Sequence, residues 1–90
     1  MHKESWLLKL YVSGSGHLSR TARANLERIC QQHITHEYRI VVIDLQENPA
    51  LAREHAIVAV PMVVREAPVP IRKVVGDLSD VPRALFALQF

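Results

Sequence analysis

Val60-Pro61-Met62-Val63-Val64 is the stretch that decides the fold, because it ends one element and begins another. Proline has no backbone N–H and breaks a helix interior, and it biases the residue before it toward extended backbone. A helix that begins near Asn48 must therefore end before Val60. The apolar residues that follow Pro61 predict a strand from Met62 to Arg65.

Downstream of this strand, the sequence predicts a hairpin and a final helix. Ile71 to Val75 reads as a strand, and the short loop Glu66 to Pro70 makes it antiparallel to the preceding one. Gly76-Asp77-Leu78-Ser79 ends the sheet, and Ser79 or Asp80 is expected to cap the last helix. That helix carries the apolar residues Leu85, Phe86, Leu88 and Phe90.

Upstream of Pro61, a short helix and a strand are expected. Asn48 can cap a helix with Pro49 at its first position, and the helix should continue to about Ile57. Tyr38 to Leu45 is rich in β-branched residues and predicts a second buried strand.

The N-terminal part predicts a strand followed by an amphipathic helix. Trp6 to Val12 is short and apolar, the turn Ser13 to Gly16 closes it, and Ser19 can cap the helix. Because a helix separates this strand from Tyr38 to Leu45, the two strands should be parallel, in a right-handed βαβ unit. The helix should bury the stripe Leu18, Ala22, Leu26, Ile29 and Cys30.

Composition sets limits on domain number, partners and location. The chain has 90 residues, 49% of them hydrophobic and 22% charged, which predicts one folded domain over residues 1–90. The net charge is +2, with acidic and basic residues interleaved, so nucleic acid is not an expected partner. Lys9 interrupts the first apolar stretch, so we expect no signal peptide or membrane span and a cytoplasmic protein.

The sequence gives only weak evidence for a catalytic or ligand-binding site. Cys30 is the single cysteine, so an intramolecular disulfide, a CxxC motif and a thiolate-rich zinc site are excluded, while an intermolecular bridge stays open. Ser13 to Ser19 contains no thiol, and an ordinary tight turn is the favoured interpretation of this segment, with a glycine-rich anion cradle as the weaker one. A Ser15, His17 and Asp44 triad has no supporting motif. We therefore predict no catalytic group and a non-enzymatic protein.

The five histidines do not predict a metal-binding site. His33 and His36 are close in sequence, but no carboxylate or cysteine completes a ligand set. His2, His17 and His55 look isolated, and surface positions are the simpler interpretation. No cofactor or metal is expected.

Protein recognition is the best positive hypothesis from the residues alone. Arg65, Arg72 and Lys73 flank the proline hairpin, and Arg20 and Arg23 lie on the first helix. A solvated strand edge and helix face is the default interpretation. The two hairpin prolines nevertheless stiffen the loop and lower the ordering cost of binding a partner there.

Six separated motifs of the chain match those of a known family: Lys9-Leu10-Tyr11-Val12, Val42-Ile43-Asp44, Asn48-Pro49, Val60-Pro61, Pro68-Val69-Pro70-Ile71-Arg72-Lys73 and Gly76-Asp77-Leu78-Ser79. In these motifs the chain resembles the circadian clock protein family KaiB from about Trp6 to Phe90, and the predicted order β-α-β-α-β-β-α is that of thioredoxin-like proteins. The N-terminal domain of the sensor kinase SasA is related and has the same fold.

The resemblance implies a regulator that binds a KaiC-type ATPase and, where the full oscillator exists, KaiA. It also implies a homo-oligomer, dimer or tetramer, and exchange between two folds. The alternative is the tetrameric KaiB ground state, β-α-β-β-α-α-β. We predict the thioredoxin-like state, an α/β fold with a mixed four-stranded sheet, because local preferences after Asn48 and after Pro61 agree with it.

The resemblance also implies which residues bind partners and which take part in a change of fold. Val41 and Ala56 stand where relatives carry lysines, which puts long-range attraction to an acidic partner in doubt. The candidate fold-switch residues are Pro61, Pro70, Gly76 and Asp77, the two prolines as candidates for slow isomerisation. The candidate partner-binding residues are Arg20, Arg23, Val41, Arg53, Ala56, Arg65, Arg72 and Lys73.

Two roles remain open besides circadian timing. A homologue that acts in stress response without KaiA fits the same motifs. A thioredoxin-like glutathione- or thiol-handling protein that lacks the CxxC motif is the alternative from the enzyme class, because such folds often hold a peptide backbone against the residue before the proline, here Val60.

Overall fold

The computed structural model describes residues 5–90 and places four strands in one mixed sheet. Its elements in chain order are β1 Ser5–Val12, α1 His17–His33, β2 Glu37–Asp44, α2 Ala50–Glu54, β3 Met62–Ala67, β4 Arg72–Val75 and α3 Val81–Leu88. The strand order across the sheet is β2-β1-β3-β4. β1 is parallel to β2 and antiparallel to β3, and β4 is antiparallel to β3. The predicted α/β class and element order are confirmed.

The larger core lies between one face of the sheet and helices α1 and α3. Central strand β1 supplies it with alternate residues, as a two-residue period requires. From α1 come Ala22, Leu26, Ile29 and Cys30, so most of the predicted stripe is confirmed. The prediction that Leu18 is buried is wrong, because Leu18 is 59% exposed in the first turn of α1.

A smaller core lies on the opposite face of the sheet, which we call the α2 face. Tyr11 of β1 and the β3 residues Met62 and Val64 are buried there against Ile57, which follows α2. Because α2 has only 5 residues and none of them is buried, this face carries a thin cover.

Two helix starts differ from the prediction. The N-cap of α1 is Gly16, without a side-chain hydrogen bond, and Ser19 lies inside the helix. The N-cap of α2 is Pro49 rather than Asn48. Asn48 contributes its backbone carbonyl instead, which accepts a hydrogen bond from the N–H of Leu51 at 3.1 Å.

The helix ends also differ. α2 ends at Glu54 rather than near Ile57, because Ala56 adopts a left-handed backbone with a φ of 56°. α3 begins as predicted, with Asp80 accepting from the N–H of Arg83 at 3.2 Å. It ends at Leu88, where Gln89 has a left-handed φ of 58°, so Phe90 lies beyond the helix.

β2 is an edge strand and is half-buried along most of its length, which corrects the prediction of a buried strand. No helix within residues 5–90 is long and apolar enough to cross a bilayer.

Candidate functional site

The turn after β1 is held together by a carboxylate. Asp44 at the end of β2 accepts hydrogen bonds from the backbone N–H of Gly14 at 2.8 Å and of Gln46 at 2.9 Å. Gly14 has a φ of 75°, and a Cβ there would lie 2.9 Å from the side-chain oxygen of Gln46. A negative charge bonded to the turn disfavours an anion in the same place, so the geometry fits a structural turn.

Cys30 lies in the core and not in the turn. Its side chain is fully buried on α1, and burial together with the nearby Glu27 carboxylate raises the pKa of the thiol to about 12. A thiol that stays protonated at neutral pH is a poor nucleophile. Burial also keeps Cys30 from forming the intermolecular bridge that the sequence left open.

Pro61 is a structural residue at the start of β3. The Val60–Pro61 peptide bond is cis, Pro61 is buried, and its carbonyl oxygen accepts from the N–H of Gly76 at 2.9 Å. This bond joins the two ends of the β3–β4 hairpin. Val60 remains 36% exposed beside it.

Four residues form one row across the α2 face. Strand register pairs Val41 of β2 with Lys9 of β1, Lys9 with Val64 of β3, and Val64 with Lys73 of β4. Paired residues project to the same side of a sheet, so the two predicted residues Val41 and Lys73 lie on one side of it, with the buried Val64 between Lys9 and Lys73. Lys9 forms an ion pair with Glu66 at 3.0 Å within it.

The other predicted partner-binding residues are divided among several places. Arg53 and Ala56 are exposed at and after α2, the helix whose following residue Ile57 packs on this side of the sheet. Arg20 and Arg23 are exposed on α1, where Arg20 donates to the carbonyl oxygen of Ser15 at 2.9 Å and Arg23 pairs with Glu27 at 3.2 Å.

Arg65 and Arg72 are cross-strand partners one residue along from Val64 and Lys73. Because successive residues of a strand point to opposite sides of the sheet, both arginines lie on the face opposite to the row. Arg72 is exposed, as expected of a strand edge. Arg65 is only 4% exposed, so the expectation of a solvated arginine is wrong for it. Its guanidinium group donates hydrogen bonds to backbone carbonyl oxygens inside the protein.

The predicted fold-switch residues take part in hydrogen bonds that hold the loops at both ends of β4. Gly76 has a φ of 120°, and the carbonyl oxygen of Asp77 accepts from the side-chain amide of Asn25 at 2.7 Å. The Asp77 carboxylate accepts from Ser79, and this hydrogen bonding lowers the pKa of Asp77. Pro70 follows a cis peptide bond, and its carbonyl accepts from Arg65 at 2.8 Å.

The histidines are not all isolated. Nδ1 of His55, just after α2, lies 2.8 Å from the hydroxyl of Tyr11, and the two rings meet edge to face. The residues are 44 positions apart, so no local sequence signal could have shown this contact. Among residues 5–90 no three His, Cys, Asp or Glu side chains are placed to hold a metal ion, and His2 lies outside that range.

The buried polar residue Asn25 was also missed. It lies on the core side of α1, between Ala22 and Ile29, where an apolar residue is expected. An asparagine at such a position of an apolar stripe is a signal of a buried hydrogen bond, although the sequence does not identify the acceptor.

Comparisons with known proteins identify the family of the chain. A family model described as the KaiB domain matches residues 9–90. The chain is 41% identical over 86 residues to the circadian clock oscillator protein KaiB of Cyanothece, covering 96% of this chain and 82% of that protein. It is 34% identical over 82 residues to the circadian clock protein KaiB3 of Synechocystis, covering 91% and 80%.

Solved structures show the same fold. The N-terminal domain of SasA from Synechococcus elongatus superposes with a TM-score of 0.78 at 23% identity, covering 96% of this chain and 83% of that domain. Mitochondrial thioredoxin 3 of Saccharomyces cerevisiae gives 0.70 at 17% identity, covering 94% and 78%. With a family model that spans nearly the whole chain and relatives of similar length, the protein belongs to the KaiB family.

Proposed function

We propose that this protein is a non-enzymatic regulator that binds a KaiC-type ATPase in the cytoplasm, in circadian or stress-response timing. Membership of the KaiB family is the observation that carries the proposal, because the related proteins are named as circadian clock proteins. KaiA is a further partner where it is present.

The α2 face is the surface that supports this proposal best. Its row of Val41, Lys9, Val64 and Lys73 reaches from one edge strand to the other, and α2 on the same side of the sheet carries the exposed Arg53. A thin apolar cover with basic residues at its margin suits a protein partner that offers acidic side chains.

A non-enzymatic role agrees with the chemistry of the site. The turn from Ser13 to Ser19 has no thiol, and Cys30 is buried with a pKa raised to about 12. The thiol-handling alternative therefore lacks a reactive group in this state. Absence of any glutathione-induced shift in a backbone amide NMR spectrum is the result that we expect.

We further propose that the C-terminal part of the chain, bordered by Pro61, exchanges with a second arrangement, which forms homo-oligomers. The supporting observation is that Gly76 and Asp77 connect the sheet to α3 through a loop with a positive φ at Gly76 and again at Leu78. Gly76 tolerates a positive φ, but the positive φ of Leu78 costs free energy, and this cost reduces the free energy gap between this fold and another packing.

Binding to the KaiC homologue of the host, measured by biolayer interferometry while ATP hydrolysis proceeds, tests the main proposal. We expect Lys73→Glu and Arg53→Glu to weaken binding several-fold or more, because each places a negative charge on the α2 face. Arg83→Glu is the matched control, since Arg83 is exposed on α3.

Two results would contradict the proposal. One is no detectable binding of the unmodified protein at high micromolar concentration. The other is an equal loss of binding in Arg83→Glu and in the two α2-face variants, which would show a general charge effect instead of a defined surface.

A further inference from the structure

The most unusual side chain outside the α2 face is the buried guanidinium group of Arg65. Strand alternation turns Arg65 of β3 toward the core that helices α1 and α3 cover, next to Leu8 of β1. A charged side chain is rarely this deeply buried unless its donors are matched by acceptors.

The acceptors of Arg65 come from two segments that are distant in sequence. One nitrogen donates to the carbonyl oxygens of Leu88 at 2.8 Å and Gln89 at 3.3 Å, at the end of α3. Another donates to the carbonyl oxygen of Pro70 at 2.8 Å, in the loop between β3 and β4. One planar group therefore joins the hairpin loop to the C-terminus of the last helix.

Both segments suit a cationic partner. The last carbonyls of a helix have no partner within the helix, and they carry the negative end of its dipole. The hairpin loop contains Pro68 and Pro70, which have no backbone N–H to donate to a strand ladder. Arg65 therefore supplies donors to carbonyl oxygens in both places.

An aromatic pair completes the arrangement. The guanidinium carbon of Arg65 lies 5.2 Å from the ring centroid of Trp6, and Trp6 packs edge to face on Phe90 at 5.1 Å. The plane of arginine favours such stacking, whereas the compact ammonium group of lysine does not form the same fork of hydrogen bonds.

We infer that Arg65 is a clasp that couples the β3–β4 loop to the end of α3, so that the two segments open together and stay closed together. The clasp is a property of the isolated protein. Its consequence for partner binding rests on the proposed function, because β4 presents Lys73 to the α2 face and the clasp fixes the loop from which β4 starts.

Amide hydrogen exchange of the full chain, followed by mass spectrometry, tests the clasp. We compare the unmodified protein with Arg65→Lys, which keeps the charge and the apolar stem, and with Arg65→Met, which removes the charge. Arg72→Lys is the matched control, because Arg72 is the exposed cross-strand neighbour of Arg65.

In Arg65→Lys, exchange should become at least about tenfold faster both in residues 66–72 and in residues 84–90, with α1 unchanged. Arg72→Lys should change neither segment to this extent. Faster exchange in only one segment, or in neither, would overturn the inference. If Arg65→Met does not fold, Arg65→Lys alone decides between these outcomes.

Tryptophan emission gives an independent reading, because Trp6 is the single tryptophan of the chain. Loss of the stacked guanidinium should change the intensity or wavelength of Trp6 emission in Arg65→Lys but not in Arg72→Lys. An identical spectrum in all three proteins would count against the clasp. None of these measurements uses a partner, so failure of KaiC binding and failure of the clasp remain distinguishable.

Discussion

The side-chain amide of Asn25 in α1 donates a hydrogen bond of 2.7 Å to the backbone carbonyl oxygen of Asp77, 52 residues later in the chain. Arg28 in turn donates to the side-chain oxygen of Asn25 at 2.8 Å. The bond therefore ties the helix of the N-terminal half to the loop that we propose as the switch region. Its strength should influence how readily that loop leaves the position seen here.

Replacement of Asn25 by alanine should destabilise this fold. The carbonyl of Asp77 would lose its partner, at a cost of about 1–2 kcal/mol in the free energy of unfolding. Urea denaturation measures this cost, and hydrogen exchange should show faster opening near residues 76–78. The control is Gln32→Ala on an exposed position of the same helix, which should stay close to the unmodified protein. Equal stability of the two variants would refute the role of the bond.

Gly76→Ala should destabilise this fold through the backbone alone. Gly76 has a φ of 120°, and a Cβ there meets no atom within 4 Å, so the cost is conformational strain of at least about 1 kcal/mol. Gly16 also has open space, but its φ is −72°, so Gly16→Ala adds no backbone strain and should cost only the preference of an N-cap for glycine over alanine, about 0.5 kcal/mol. Thermal or urea unfolding of both variants separates strain from the general loss of a glycine, and equal losses would rule out strain as the cause.

Cys30 should make stability fall at alkaline pH. Its pKa is raised from 9.0 to about 12 on folding, so the folded state holds the proton more tightly than the unfolded chain. The associated stability is fully present below about pH 9 and is lost as the pH rises toward 12. The difference in unfolding free energy between the unmodified protein and Cys30→Ala should therefore shrink as the pH is raised from 9 under reducing conditions.

Thiol labelling checks the same property at neutral pH. An aromatic disulfide reagent at pH 8 should react slowly with the native protein and rapidly after unfolding in guanidinium chloride. Rapid labelling of the native protein, or a constant stability difference across the alkaline range, would show that the thiol is accessible.

Val41→Lys should strengthen binding to the KaiC-type partner. Val41 is half-buried on the edge strand β2, beside Lys9 in the row of the α2 face, and a long side chain there can extend its charge to solvent. We expect a gain of about three- to tenfold that diminishes with salt. Thr35→Lys adds the same charge at an exposed loop position outside the row and should give a smaller gain. An equal gain from both variants would argue against Val41 as a contact.

Much of the fold followed from local patterns. The spacing of Ala22, Leu26, Ile29 and Cys30 correctly predicted the buried side of α1, and Pro61 correctly predicted the start of β3. The limits of the helices were less accurate, because helix ends depend on single backbone conformations such as the left-handed Ala56. Ser19 and Asn48 are good capping residues, yet the adjacent chain path placed Gly16 and Pro49 at the caps.

The candidate site was only partly predictable. The sequence nominated Val41 and Lys73 separately, and strand register put them in one row. Arg65 belonged to the same set of basic residues but is buried, because its acceptors lie at the end of a helix that begins 16 residues later, at Val81. Charge type alone does not distinguish an exposed arginine from one that is matched by backbone carbonyls.

The sequence by itself determined the order of the elements, the buried stripe of α1, the start of the hairpin and the absence of a reactive cysteine pair. These features depend on neighbours within one or two turns, so periodicity and backbone restriction report them directly. Only the tertiary structure decided the contacts of Asn25 with Asp77, of Tyr11 with His55 and of Arg65 with the end of α3. Each joins residues far apart in the chain, and such a contact forms only when the whole sheet has closed against its helices.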